Sequence, residues 1–192
     1  MKSYNNDELS KKRALKLFDS GEVDRIEVGT IEGLQFIHRY LFDGIAGYDA
    51  GQVRNVNLSK DNFRFASAIY LPQALETISG MPEDTFGQII EKYVEMNVAH
   101  PFIEGNGRSS RIWLDLILKK SLRKCVDWSK VSKREYLDFM RLSPTNGKYI
   151  QDLLESALTE NINDRDVFMK GIDQSYEYED SDAKSIFELD ND

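Results

Sequence analysis

The chain has 192 residues, 41% of them apolar and 30% charged, with a formal net charge of −8. That length fills one core with at most a small appendage. An acidic total argues against a broad nucleic-acid-binding face, no stretch has the roughly 18 uncharged apolar residues of a membrane span, and the lone Cys125 excludes an internal disulfide framework.

Helical periodicity dominates in chain order. Residues 7–19 set Leu9, Ala14, Leu15, Leu17 and Phe18 on one side, and residues 30–42 do the same with Ile31, Leu34, Ile37, Leu41 and Phe42. His38 lies within that second apolar face and is assigned to the core. Residues 52–66 break the pattern: Val53, Val56, Leu58, Phe63 and Phe65 flank the polar Ser59-Lys60-Asp61-Asn62, which predicts a hairpin. On pattern alone it is an ordinary surface hairpin as readily as a functional one.

Phe86, Ile89, Ile90, Tyr93 and Val94 give the strongest helical spacing, over 85–99. That helix must stop near Ala99, because Pro101 drives His100 from the α region. A further helix runs from about Gly107 to Leu122. Ser132 and Glu135 predict a capped helix to about 142, Ser143-Pro144 reads as the start of another, and a last long helix covers about 163–180. The expectation is one mainly α domain over 1–180 with a short β-hairpin, followed by an acidic tail at 181–192. Residues 177–192 hold seven acids against Lys184 alone. With one cysteine and no apolar leader at Met1–Asp7, the protein is expected to be cytoplasmic, with no membrane or direct nucleic-acid partner.

Residues 100–111 read His-Pro-Phe-Ile-Glu-Gly-Asn-Gly-Arg-Ser-Ser-Arg. Gly105-Asn106-Gly107 opening a helix is a candidate anion nest, with backbone N–H groups turned inward at a positive helix end. Arg108 and Arg111, three apart, share a face of the first turn. Cations there oppose the helix dipole unless an anion sits among them, and a phosphate chain would supply it. Glu104 beside the nest is placed to bring Mg²⁺ to phosphates, or simply to pair with an arginine. His100 has a near-neutral pKa suited to a general base. No lysine follows the glycines, so this is not a P-loop.

The twelve residues match the signature of the Fic family, His-Pro-Phe-x-(Asp/Glu)-Gly-Asn-Gly-Arg-x-x-Arg, without departure. The resemblance covers about residues 10–180. It implies a helical Fic-type domain, of the bacterial kind, that transfers AMP from ATP to a tyrosine, serine or threonine hydroxyl of a target protein. By that resemblance His100 deprotonates the target and Glu104 holds Mg²⁺, or another divalent ion. Gly105, Asn106 and Gly107 form the anion hole, Arg108 contacts the phosphates, and Arg111 grips the γ-phosphate. The hairpin, with Lys60, Asp61, Asn62 and Phe63, is similar to the flap that pairs with an extended target segment. Bacterial relatives suggest type II topoisomerase subunits among the targets. Glycine at 105 favours attack at the α-phosphate over the reversed binding of kinase relatives.

Ser175-Tyr176-Glu177-Tyr178-Glu179 resembles the inhibitory motif (Ser/Thr)-x-x-x-Glu-(Gly/Asn) of compact members with a C-terminal inhibitory helix. Ser175 and Glu179 share a face. The resemblance implies that Glu179 pairs with Arg111 and takes the γ-phosphate position. Asp180 departs from the motif and puts the helix end in question. Tyr176 and Tyr178 are candidate self-modification sites, and oligomerisation that buries this helix would control it. Two other readings stay open: a metal-switched enzyme that also removes AMP, with Glu179 positioning water, and a non-catalytic nucleotide sensor.

Overall fold

A computed structural model describes residues 4–60 and 63–191. Its helices are α1 (Asn6–Asp19), α2 (Ile31–Phe42), α3 (Leu71–Ser79), α4 (Phe86–Ala99), α5 (Asn106–Leu122), α6 (Lys133–Leu142), α7 (Lys148–Ser156), α8 (Arg165–Glu177) and α9 (Ile186–Asp190). Two short antiparallel pairs accompany them: β1 (Ser59–Lys60) with β2 (Phe63–Arg64), and β3 (Cys125–Val126) with β4 (Leu158–Thr159). No described helix is long and apolar enough to cross a membrane.

The helices begin where side chains satisfy their orphan amides. Asn5 accepts from the Glu8 amide at 2.8 Å while Glu8 returns to the Asn5 amide, and Thr85 with Gln88 repeats the device at α4. Asp164 caps α8 by accepting from the Asp166 and Val167 amides. The chain enters α5 through Gly105 in the left-handed region, with no side-chain cap, so the first amides of α5 stay available.

α5 is the centre of the molecule, packed by α4, α2 and α8. Trp113, Leu114, Ile117 and Leu118 on it are completely buried, and Trp113 donates to the Thr30 carbonyl at 3.0 Å. Burial on nearly all sides fits its lack of a polar stripe and fixes the direction in which its N-terminus points.

Three expectations change. Ser143-Pro144 does not start a helix: Ser143 closes α6, its hydroxyl donating back to the Met140 carbonyl at 2.8 Å, and α7 begins at Lys148. The acidic tail is docked, with Ile186 and Leu189 of α9 fully buried between α1 and α8. Asp180 takes φ +57°, the left-handed conformation that glycine or asparagine usually supplies after a helix, so α8 is closed despite the departure. Asp180 is then held by an ion pair with Lys133.

Candidate active site

His100 follows the last turn of α4 as its C-cap in the left-handed region, φ +50°; Pro101 disfavours a further right-handed helical residue here, and the helix stops as expected. The Phe65 ring lies flat on its imidazole, centroids 3.7 Å apart, and its Nδ1 is buried without a hydrogen-bond partner. Burial, with the nearby Arg54 charge, pulls the His100 pKa down to about 4. This overturns the expected near-neutral value: the imidazole is neutral at pH 7, but burial makes it a weaker base than a free histidine.

The loop after it is fastened from three sides. Asn106 donates to the Phe102 carbonyl and accepts from the Phe102 amide, at 2.8 and 2.9 Å, closing the turn on itself. His38 Nδ1 accepts from the Gly51 amide at 2.9 Å, so the proton is on Nε2, which donates to the Glu104 carbonyl at 2.8 Å. His38 is buried, as expected of a core residue, but it is also the strut between α2 and the loop.

The third fastening is Arg54. Its guanidinium donates to four carbonyls: His100 at 2.7 Å, Ala99 at 2.9 Å, Ala66 at 2.7 Å and Val56 at 2.6 Å. The first two belong to the approach to the loop, the last two to the chain flanking the β1–β2 hairpin. That hairpin has the predicted place, with Lys60 opposite Phe63. Asp61 and Asn62 of the expected flap lie outside the described residues.

Gly105 sits at φ +79°, and a Cβ there would lie 2.6 Å from the Phe42 ring. Both the backbone and the space demand glycine. Gly107 faces the open side of the nest, and a Cβ on it would meet Glu179 Oε1 at 2.5 Å. The anion that Arg111 calls for is thus present: it is the carboxylate of Glu179, over the start of α5.

Arg111 is fully buried and completely engaged. Nε donates to Ser175 Oγ at 2.7 Å, and Nη2 to the Ser175 carbonyl at 2.9 Å and to Glu179 Oε1 at 3.2 Å. Nη1 donates to Tyr136 at 3.3 Å, and the rings of Tyr136 and Tyr178 flank the guanidinium. Burial alone would raise the Glu179 carboxyl, but the charge and hydrogen bond of Arg111 hold it below its ordinary value, with Lys60 and Arg108 adding to this.

Arg108 does not point freely at the nest. Nη1 donates to Asp7 Oδ1 at 2.8 Å and Nη2 to Glu104 Oε1 at 3.2 Å, while Phe42, Tyr48 and Tyr176 surround the guanidinium. Glu104 is the most exposed acid of the site, at 56%. Among the described residues no group of three or more ligating side chains could hold a metal ion. Glu104, as the one open carboxylate beside the start of α5, is the residue that would hold a Mg²⁺ brought with a phosphate ligand.

The expected self-modification sites are enclosed. Tyr176 and Tyr178 are 1% and 2% exposed, their hydroxyls bonded to Ser10 Oγ and to the Val131 carbonyl, each at 2.6 Å. Neither hydroxyl is reachable while α8 stays docked.

The mainly helical scaffold with small two-stranded sheets has the Fic fold, and it carries His100, a glycine turn at a helix start and two buried arginines in one place. BepC from Bartonella tribocorum, solved with bound AMPPNP, superposes with a TM-score of 0.64 at 16% identity over 78% of this chain and 84% of that one. The N-terminal Fic domain of a Bep effector from Bartonella quintana, solved with bound ADP, does so with a TM-score of 0.66 at 17% identity, over 79% of this chain and 81% of that one. Residues 29–118 match the model described as Fic/DOC family. The protein adenylyltransferase VbhT of Bartonella schoenbuchensis is 30% identical over 134 residues, 63% of this chain but only 27% of VbhT. The chain thus has the Fic fold and carries a segment that resembles the Fic/DOC family, with distant similarity to VbhT, about a quarter of whose length it spans.

Proposed function

We propose that the protein is an adenylyltransferase that moves AMP from ATP to a hydroxyl of a target protein, and that Glu179 holds it shut. The observation that carries this reading is the Glu179 carboxylate over Gly107, paired with Arg111. A side-chain anion there stands where the signature calls for a nucleotide phosphate.

In the open enzyme, neutral His100 takes the proton of the target hydroxyl. The hydroxyl oxygen then bonds to the α-phosphorus as the bond to the β-phosphate bridging oxygen breaks, and pyrophosphate leaves. The amides at the start of α5 face the developing negative charge, and Arg111, freed of Glu179, is available to the terminal phosphate. When bound, Mg²⁺ supplies neutralising charge between phosphates, and Glu104 is the residue to hold it. Phe65 keeps one face of His100 dry, and the hairpin beside it offers strand edges to an extended segment of the target.

The test is labelling of a lysate with α-labelled ATP and Mg²⁺ by wild type, Glu179→Gly, and Glu179→Gly with His100→Ala. Strong labelling by the single variant alone supports the reading. Equal labelling by wild type and Glu179→Gly overturns the inhibition, and labelling that survives His100→Ala overturns the mechanism.

A further inference from the structure

The first turn of α1 reaches the site at one point. Asp7 Oδ1 accepts from Arg108 Nη1 at 2.8 Å, and Asp7 Oδ2 accepts from Ser181 Oγ at 2.7 Å. Asp7 lies outside the family-matched residues 29–118 and in a helical first turn, where a carboxylate is favoured. Besides the rings of Phe42, Tyr48 and Tyr176 around it, Arg108 has one other charged partner: Nη2 reaches the half-exposed Glu104, and Nε is buried without a partner.

Ser181 is fastened to α8, its amide donating to the Tyr176 carbonyl at 3.2 Å, and it stands two residues beyond Glu179. The segment that sends Glu179 to Arg111 is therefore tied a second time, through Asp7, to Arg108. The same seam continues with Ser10 on Tyr176 and Lys11 on Asp173.

We propose that Asp7 is a positioning residue for Arg108 and also the second anchor of the C-terminal latch. The proposal rests on the reading of Glu179 as the inhibitory residue. Asp7 orients the Arg108 guanidinium with one carboxylate oxygen and holds Ser181 with the other, so nucleotide binding at Arg108 and closure of residues 179–181 are linked through one carboxylate. Linkage of that kind is reciprocal: loosening the segment tightens nucleotide binding.

Ser181→Ala removes the donor and leaves both arginine pairs in place. AMP transfer is expected to rise on the order of tenfold, as for a lost hydrogen bond to a charged group, with tighter binding of a non-hydrolysable ATP analogue. Ser181→Thr restores the wild-type rate, and Ser181→Ala has no effect in a Glu179→Gly background. In that same background Asp7→Asn is expected to raise the KM for ATP more than it lowers kcat, with recovery in Asp7→Glu. An unchanged rate in Ser181→Ala, with release by Glu179→Gly, overturns this proposal alone. Release by neither variant overturns the inhibitory reading with it. An unchanged KM in Asp7→Asn removes the positioning role.

Discussion

The carboxylate of Glu179 lies so close over Gly107 that a single methyl group on that glycine would stand 2.5 Å from its Oε1. The start of α5 carries the protein's own anion, and in the proposed function a nucleotide would compete with Glu179 for that space and for Arg111. A desolvated pair of this kind is worth about 3 kcal/mol, which leaves an open fraction on the order of 1%. Glu179→Gly is expected to raise AMP transfer about a hundredfold, measured as incorporation of α-labelled ATP. Arg111 keeps its bonds to Ser175 and Tyr136 in that variant, so the fold survives, but loss of the pair should lower the melting temperature by several degrees.

Gly105→Ala tests the nest from the side of stability. The left-handed backbone costs an alanine about 1–2 kcal/mol, and contact with the Phe42 ring adds a similar amount. A loss of about 3 kcal/mol in urea unfolding is expected. Phe42→Leu should return part of the second contribution when combined with Gly105→Ala, since the two side chains are in contact.

The two histidines give a simple pH reading. Both are buried neutral, with pKa values lowered to about 4, His38 chiefly by burial and His100 by burial and Arg54. The unfolded chain takes up protons near pH 6.5 and the folded chain does not until about 4. Stability is therefore complete above 6.5 and lost as pH falls toward 4, by up to about 1.4 kcal/mol per pH unit for each histidine. Proton NMR should show two imidazoles that stay neutral at pH 5.5, and His38→Asn should reduce the slope of stability against pH between 5 and 6.5.

Arg54→Lys should behave almost as badly as Arg54→Ala. One ammonium cannot serve the carbonyls of Val56, Ala66, Ala99 and His100 together, and each buried carbonyl left without a donor costs about 1–3 kcal/mol. The expected result is a loss of about 3 kcal/mol or more, with protease cleavage opening first within 52–66.

What was legible in the sequence was local. Apolar spacing marked α1, α2, α4 and α5 because each packs one continuous stripe or is buried all round, and the signature at 100–111 was legible because its residues are contiguous. Ser143-Pro144 misled because the same serine that can cap a following helix instead closed the preceding one. The pairing of β3 with β4 joins two-residue strands more than thirty positions apart, and such a pair leaves no period behind. His38, Arg54, Phe65 and Asp7 escaped notice as site residues for a related reason. Each acts on a segment distant in sequence, Asp7 on one 101 positions away, and only the fold brings them together.

Arg54 joins the chain on both sides of the hairpin to the backbone of His100 itself. The element that would choose a partner and the group that would react with it are thus mounted on one bracket. If the hairpin selects the target, as proposed, substitutions at 59–64 would change the partner without moving His100, provided Arg54 is kept. A change at Arg54 would disturb aim and chemistry at once.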